Sequence, residues 1–327
     1  MKAPRFWYRR PGIAAALLNP VGQLYDAAGR LRRGTTRPYR AGIPVLCVGN
    51  LVAGGAGKTP VALALAQILL DRGVGVHFLT RGYGGRERGP VLVDPQRHDA
   101  AAVGDEPLLL AGTAPTWVAR DRARGAMAAG AAGAAAIVMD DGFQNPTLHK
   151  DLSLIVIDGE SGFGNRRIIP AGPLREAPGR AFARADAAVI MGEDRQGLGV
   201  ELAARGTPVL HARLAPAGPA EWLRGTPVVA FAGIARPAKF FDTLKGLGAR
   251  MVADFAYGDH HPFQPEEIMQ MVELAHDAEA LLVTTAKDHA RLPEEIRPMV
   301  KVLHVQVSWD DPAALARVLS PVLDHVA

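Results

Sequence analysis

The chain has 327 residues, of which 48% are hydrophobic and 21% are charged, and these proportions are typical of a folded globular protein and exclude a disordered chain. The net charge of +4 divides into +8 for residues 1–40 and −4 for the remainder. Because a nucleic-acid-binding protein more often carries its basic charge on the folded domain, we expect no nucleic-acid partner.

The amino-terminal segment, residues 1–40, combines basic, aromatic and apolar side chains. Pro11 favours the start of one helix, and the pair Asn19–Pro20 favours the start of a second. Apolar residues at steps of three or four form one stripe, made of Ile13, Leu17, Val21, Leu24, Ala28 and Leu31. Two interpretations stay open: a helical pair that packs on its own domain, or an amphipathic anchor in a membrane interface. No apolar run is long enough to span a bilayer, and no signal-peptide cleavage site follows.

From residue 41 to about residue 205, short apolar runs alternate with helical stretches. The runs predicted to be strands are residues 43–50, 74–80, 116–120, 134–141, 152–158 and 186–191. Continuous apolar strands separated by helices are typical of a mostly parallel sheet that is covered on both faces. Cys47, the only cysteine, lies in the first of these runs, so we expect no disulfide and a buried, unreactive thiol.

A second series of strands and helices follows over residues 206–327. Its predicted strands are residues 208–214, 227–234, 249–257, 281–288 and 301–309. Helices are predicted over residues 237–248 and 265–278. We therefore expect an α/β protein with three parts: an amphipathic segment over 1–40, a larger α/β domain over 41–205 and a smaller α/β domain over 206–327.

The sequence LVAGGAGKTP, residues 51–60, lies between the first predicted strand and the helix that follows it. The residues with the pattern of a nucleotide phosphate-binding loop are Gly54, Gly55, Ala56, Gly57, Lys58 and Thr59. The glycines let the backbone approach phosphates, Lys58 is expected to reach the β- and γ-phosphates, and Thr59 to coordinate Mg²⁺. Val52 stands where the strict pattern has its first glycine, and we expect Gly54 and Gly55 to make the turn instead. The larger domain is therefore of the P-loop NTPase type.

Two aspartates, Asp140 and Asp141, end a predicted buried strand about 80 residues after the loop. Parallel α/β sheets bind their ligands beyond the carboxyl ends of the strands. We therefore expect the pair beside the metal ion that accompanies the nucleotide. The alternative is an exposed turn before Gly142.

Groups that orient or deprotonate an acceptor are less distinctive. The chain contains no K-x-D sequence, which guanine-selective switch proteins usually show, so a GTPase is disfavoured. Asp105 and Asp259 are candidate acids, and His260 and His261 are candidate bases. Asp105 alone also fits a helix N-cap, and residues 259–261 fit a capped turn or a metal site. Four arginines in Gly/Pro-rich loops either bind an anionic ligand or face solvent: Arg81, Arg86, Arg166 and Arg175.

Seven motifs, in order along almost the whole chain, closely resemble the tetraacyldisaccharide 4′-kinase family of lipid A biosynthesis: VGNLVAGGAGKTP, TRGYGG, VGDEPLLLA, DDGFQ, PAGPLRE, FAGIARPAKFF and GDHHPF. The resemblance implies a P-loop kinase that uses ATP and Mg²⁺. Its substrate would be the 4′-hydroxyl of a tetraacylated glucosamine disaccharide 1-phosphate, at the cytoplasmic face of a Gram-negative inner membrane. The basic, aromatic residues 1–40 resemble the membrane-associating segment of that family.

The resemblance also implies roles for particular residues. The catalytic residues would be Asp105 as the base, His260 of the second domain as the group that tunes it, Lys58 and Arg175. The cofactor-binding residues would be the loop residues 54–59 together with Glu176 near the phosphates and Tyr83 near the substrate. The metal ligands would be Thr59, Asp140 and Asp141. One position departs from the family pattern, because this chain has Ala286 in TTAKD where the family has TTEKD.

The implied substrate bears on the amino-terminal segment. Acyl chains leave a bilayer at a cost of about 0.8 kcal/mol per CH₂, so an enzyme that modifies their headgroup works at the membrane surface. This favours a membrane anchor for residues 1–40, with the lipid as the partner and no obligate protein partner. The alternative function is a membrane-recruited P-loop ATPase switch that binds a protein partner.

Overall fold

The computed structural model describes residues 3–326, which form two β-sheets with helices packed against them. The strands are β1 (Val45–Gly49), β2 (Val76–Thr80), β3 (Val91–Leu92), β4 (Thr116–Val118), β5 (Ala136–Asp140), β6 (Leu152–Asp158), β7 (Ala187–Met191), β8 (Val209–Pro216), β9 (Pro227–Ala232), β10 (Arg250–Ala256), β11 (Leu281–Thr285), β12 (Lys301–Leu303) and β13 (Val305–Trp309). The helices are α1 (Ile13–Thr35), α2 (Lys58–Leu70), α3 (Ala100–Val103), α4 (Asp105–Ala111), α5 (Arg122–Ala131), α6 (Pro178–Phe182), α7 (Leu198–Ala203), α8 (Pro237–Gly246), α9 (Pro265–Asp277), α10 (Ala286–His289) and α11 (Pro312–Val326). Short 3₁₀ helices lie at Arg5–Tyr8, Glu221–Leu223 and Arg297–Met299.

The larger sheet has nine strands in the order β13-β8-β7-β6-β1-β5-β2-β4-β3. Its strands run parallel except for β13 and β3, which pair antiparallel at the two edges. β1 lies between β5 and β6, and every residue of these three strands is buried. The mostly parallel sheet predicted from continuous apolar runs is confirmed, because a strand covered on both faces has no polar side.

The smaller sheet has four strands, all parallel, in the order β10-β9-β11-β12. One apolar cluster joins it to α9 and includes Phe231, Phe263 and Ile268. A second cluster joins the other face to α8 and includes Phe240 and Leu244. The second, smaller α/β unit is therefore present as predicted.

Residues 301–309 differ from the single strand that was predicted for them. They form two strands in different sheets, because β12 pairs with β11 and β13 pairs with β8. After β13, α11 packs its apolar side against the larger sheet through Leu315, Leu319 and Val322. An apolar run predicts a strand but does not reveal its partner, and here the strand that joins the larger sheet is the one followed by α11, which packs on that sheet.

The sheets therefore divide the chain differently from the predicted boundary between residues 205 and 206. β8 and the segment after residue 304 belong to the larger sheet, whereas the smaller sheet lies within residues 227–303. The smaller unit is an insertion between two strands of the larger sheet.

The amino-terminal segment forms one long helix, α1, and the prediction of two helices divided at Pro20 was wrong. Proline removes one helical N–H group, which leaves the carbonyl of Ala16 without its usual donor. Because Ala16 is exposed, water can take the place of that donor. The buried residues of α1 are Ala15, Gly22 and Asp26, while its apolar stripe faces outward. Among residues 3–326, no helix is long and apolar enough to cross a bilayer.

Candidate active site

The loop between β1 and α2 has the backbone of a phosphate-binding loop where the sequence predicts one. Gly54 and Gly57 adopt φ values of 127° and 87°, which residues with a Cβ rarely adopt. Lys58 begins α2, so the first N–H groups of that helix face the loop. A Cβ atom on Gly55 would lie 2.9 Å from the Cβ of Ala235, in the segment after β9. The smaller unit therefore closely approaches the loop.

Val52, at the position of the missing glycine, is buried and forms an antiparallel bridge with Leu174. The N–H of Ala53 donates to the carbonyl of Pro173 at 2.8 Å, so the PAGPLRE segment lies along the start of the loop. Ala56 is also buried, against the opposite face of the sheet. Since the left-handed backbone is at Gly54 and Gly57, residue 52 can be a valine that packs into the core.

Asp140 ends β5, next to β1, and is buried beside the loop. Thr59 Oγ1 donates a hydrogen bond to Asp140 Oδ2 at 2.8 Å, whereas Asp140 Oδ1 has no partner among the described residues. Burial raises the pKa of Asp140 to about 7, and the charges of Glu106 and Asp141 act in the same direction. An unpaired carboxylate oxygen beside a phosphate-loop threonine fits the oxygen ligands that Mg²⁺ takes in such sites.

Asp141 holds the two cations expected at the phosphates. Its φ of 53° lies in the left-handed region, which is strained for an aspartate and typical of functional sites. Arg175 Nη1 donates to Asp141 Oδ1 at 2.7 Å, and Lys58 Nζ lies 3.9 Å from the same oxygen. Burial would raise the pKa of Asp141, but the charges of Lys58 and Arg175 outweigh it and hold the pKa below its usual value.

Asp105 and His260, the predicted base and its tuning group, are in direct contact. Asp105 is buried at the start of α4, and His260 follows β10 of the smaller sheet with a φ of 60°. His260 Nδ1 lies 3.0 Å from Asp105 Oδ2 and 3.1 Å from Oδ1. The N-cap of α4 is Gly104 rather than Asp105, so capping does not account for this carboxylate. The ring of Tyr83, which is 65% exposed, lies 5.5 Å from the His260 ring.

Two further cations of the smaller unit, Lys287 and Arg291, reach Asp105, and neither is among the site residues predicted from the sequence. Lys287 Nζ lies 3.8 Å from Asp105 Oδ2 and 3.4 Å from Glu106 Oε1, and Arg291 Nε lies 3.6 Å from Asp105 Oδ2. Burial would raise the pKa of Asp105, but the hydrogen bond with His260 and the charge of Lys287 hold it below its usual value. The available signal in the sequence is the TTAKD motif, in which Lys287 directly follows Ala286.

Glu176, expected near the phosphates, is completely buried and contacts protein groups. Arg184 Nη2 donates to its carboxylate at 2.8 Å, and Arg33 Nη2 of α1 lies 3.4 Å away. Gln144 Nε2 donates to Glu176 at 3.3 Å, and Gln144 Oε1 accepts from Arg175 at 3.4 Å. Gln144 belongs to the DDGFQ motif, but it is not among the site residues predicted from the sequence.

The remaining candidates lie outside this set of contacts. His261 stacks on Tyr257 and contacts Glu267 at 2.9 Å, within its own unit. Arg166 pairs with Glu201 at 2.7 Å on the surface. Asp259 lies 3.4 Å from Lys287 Nζ at the edge of the Asp105 cluster. Arg81 in the TRGYGG motif and Arg86 directly after it are exposed.

Known proteins match this arrangement over nearly the full chain. The profile of the tetraacyldisaccharide-1-P 4′-kinase family, LpxK, matches residues 14–324. The tetraacyldisaccharide 4′-kinase of Rhodospirillum centenum is 54% identical over 99% of this chain and 97% of its own length. The enzyme of the same name from Paramagnetospirillum magneticum is 53% identical over 100% of this chain and 99% of its own length.

A solved structure shares the fold. The crystal structure of LpxK from Aquifex aeolicus, in complex with ATP, superimposes with a TM-score of 0.75 at 26% identity and covers 95% of this chain and 99% of its own. The profile, the relatives and the solved structure each cover nearly all of this chain. This chain belongs to the tetraacyldisaccharide-1-P 4′-kinase family.

Proposed function

We propose that this protein transfers the γ-phosphate of ATP to the 4′-hydroxyl of a tetraacylated glucosamine disaccharide 1-phosphate. The observation that carries the proposal is the contact between Asp105 and His260, which joins the two units. A nucleotide switch needs no such pair, whereas a kinase needs a group that takes a proton from its acceptor. Membership of the kinase family supports the same activity.

ATP would lie with its phosphates in the loop, surrounded by the N–H groups of residues 54–59. Mg²⁺ would be held by Thr59 and Asp140, because the free oxygen of Asp140 is available to it, while Asp141 is engaged with Lys58 and Arg175. Within residues 3–326, no group of three or more His, Cys, Asp and Glu side chains could hold a metal ion. One or two carboxylates suffice for Mg²⁺ when substrate phosphates and waters complete its shell, and the bound ion would offset phosphate charge.

Proton removal falls to Asp105 in this proposal. Its carboxylate is ionised at neutral pH, because its pKa lies below the usual value. As the sugar oxygen bonds to the γ-phosphorus, the bond between that phosphorus and ADP breaks and the hydroxyl proton passes to the Asp105 carboxylate. Asp105 and His260 Nδ1, which are in hydrogen-bond contact, then share this proton. Lys58 and Arg175 supply positive charge at the phosphates.

The substrate site would be the cleft between the two units. The larger unit supplies Asp105 and the phosphate loop, and the smaller unit supplies His260 and Lys287. Tyr83 is exposed beside His260 and would contact the sugar. A site assembled from two units excludes water when they close, which limits hydrolysis of ATP.

The outer face of α1 would lie on the cytoplasmic face of the inner membrane. Its stripe is exposed rather than packed on the domain; Leu17 is 75% and Leu24 is 72% exposed. An exposed apolar stripe flanked by arginines suits the interface of an anionic bilayer. The acyl chains of the substrate would then stay in the lipid while the sugar enters the cleft.

The direct test is a transfer assay with γ-³²P-labelled ATP, Mg²⁺ and the acylated disaccharide 1-phosphate in mixed micelles. We expect label in the lipid, and none with a 4′-deoxy acceptor or with the Lys58→Ala variant. Label that appears only as free phosphate would exclude a kinase and support an ATPase. Label transferred to the 4′-deoxy acceptor would contradict the assigned hydroxyl.

A further inference from the structure

Helix α1 has a second face, which docks on the larger unit close to the active site. Its buried residues Ala15, Gly22 and Asp26 recur at steps of seven and four, so they lie along one side of the helix. A Cβ on Gly22 would lie 2.8 Å from the carbonyl oxygen of Ile168, which shows how closely this side packs. Arg33 continues the same side, seven residues after Asp26.

Arg33 reaches a carboxylate that has no access to solvent. Its Nη2 atom lies 3.4 Å from Glu176 Oε2, and Glu176 is 0% exposed. A buried carboxylate needs positive partners, and here Arg33 and Arg184 provide them. Among the described residues, Arg33 and Arg184 form ion pairs with Glu176, and Arg33 comes from the amino-terminal helix.

Polar contacts continue from Glu176 to the phosphate site. Gln144 Nε2 donates to Glu176 Oε1 at 3.3 Å and to the carbonyl of Asn50, at the end of β1, at 2.9 Å. Gln144 Oε1 accepts from Arg175 Nη1 at 3.4 Å, and the same nitrogen donates to Asp141 at 2.7 Å. Gln144 thus lies between Glu176 and Arg175.

We propose that Arg33 is a positioning residue of the kinase, which holds Glu176, Gln144 and Arg175 in register with the phosphate loop. The inference rests on the proposed function and deepens it. Helix α1 then has two separable roles: its outer stripe meets the membrane, and Arg33 completes the support of the phosphate site. Without Arg33, Arg184 is the remaining described residue in an ion pair with Glu176. Gln144 and Arg175 then shift, and a small displacement of a charged group at the phosphates lowers kcat strongly.

The matched variants are Arg33→Ala and Arg32→Ala, which remove the same charge from the same turn of α1. Arg32 is exposed and its side chain makes no ion pair among the described residues. We expect Arg33→Ala to lower kcat by about tenfold in mixed micelles, with vesicle binding unchanged. Arg32→Ala should leave kcat within about twofold of wild type, and Arg33→Lys should restore part of the loss.

A readout without the lipid acceptor separates this inference from the proposed activity. Arg175 would favour ATP over ADP, so the ratio of their Kd values should move toward one in Arg33→Ala and stay at the wild-type value in Arg32→Ala. Wild type that labels no lipid would overturn the proposed function, while this ratio still tests the role of Arg33. An unchanged ratio in Arg33→Ala would overturn the inference.

A double-mutant cycle with Glu176→Gln tests the path itself. When Glu176 is neutral, it no longer needs Arg33, so Arg33→Ala should have little further effect on kcat in that background. Equal effects of Arg33→Ala in both backgrounds would overturn the proposal. So would a loss of vesicle binding with kcat intact, because Arg33 would then act on the membrane alone.

Discussion

His260 Nδ1 lies 3.0 Å from Asp105 Oδ2, although 155 residues separate the two in the chain. One side chain begins a helix of the larger unit, and the other follows a strand of the smaller unit at a φ of 60°. Lys287 and Arg291 approach the same carboxylate from the smaller unit. The smaller unit therefore brings a histidine and two cations to a carboxylate that the larger unit holds at the cleft.

Replacement of either member of this pair should reduce turnover. We expect Asp105→Asn to lower kcat by about 10²- to 10⁴-fold, because it removes the proton acceptor. We expect His260→Ala to lower kcat by about 10-fold or more, because it removes the group that supports that acceptor. Affinity for ATP should stay within about twofold. Steady-state kinetics and nucleotide titration measure both quantities.

His261→Ala is the matched control for His260→Ala. His261 directly follows His260 and also precedes α9, but it contacts Glu267 and Tyr257 rather than Asp105. Its kcat should therefore stay near that of wild type. If ATP affinity collapses together with kcat in the Asp105 variant, the assignment of Asp105 as the base is wrong.

The pKa of Asp105 predicts how acid affects stability. In the unfolded chain an aspartate titrates near pH 3.9, and in the folded protein the pKa of Asp105 lies lower. The contribution of the Asp105 carboxylate to the free energy of unfolding is therefore complete above the pKa of the unfolded chain, and it is lost as the pH falls through the pKa in the folded protein. The Tm of wild type should be higher than that of Asp105→Asn above about pH 5. This difference in Tm should become smaller below about pH 4. Thermal unfolding across this range checks the sign; a gap that grows in acid contradicts it.

The single thiol should be inert in the folded protein. Burial raises the pKa of Cys47 to about 12, and its side chain lies within β1 at the centre of the larger sheet. At pH 8 a disulfide reagent such as DTNB should release no thiolate from the native protein, and one equivalent after unfolding in guanidinium. Rapid reaction in the native state would show that β1 opens or that the thiol is accessible.

The outer stripe of α1 should determine membrane affinity. We expect the double variant Leu17→Asp and Leu24→Asp to lower binding to anionic vesicles by at least about tenfold, since each buried leucine is worth roughly 1.5–3 kcal/mol. Co-sedimentation measures the effect. Val200→Asp is the control, because Val200 is 79% exposed on α7, away from that stripe. Equal loss in the control would point to a general change of charge rather than to the stripe.

Local patterns predicted much of the fold. The strand before LVAGGAGKTP and the helix after it are where the sequence indicates them, and β5 and β6 lie within the predicted runs 134–141 and 152–158. The sequence pattern gave a wrong prediction where the structure depends on which strand pairs with which. Residues 301–309 were predicted to form one strand but are divided between two sheets, and Pro20, predicted to start a helix, lies inside one.

The candidate site shows the same division. Lys58, Thr59, Asp140 and the loop glycines stand in one motif or follow one strand, so their types and spacing point to phosphates and a metal ion. Gln144 lies in the DDGFQ motif, but a single glutamine does not indicate a particular chemistry. The contact between Lys287 and Asp105 depends on the smaller unit lying beside α4, so no local pattern indicates it.

By itself, the sequence determined the phosphate loop, the acidic pair, the basic amphipathic start and, through seven ordered motifs, the family. These properties depend on neighbouring residues, on local backbone preference and on hydrophobic periodicity. Only the tertiary structure decided that Glu176 is buried behind Arg175, that Arg33 reaches it from α1, and that α1 turns its apolar stripe outward. Burial and charge pairing are properties of residues brought together from distant parts of the chain, and no local pattern specifies them.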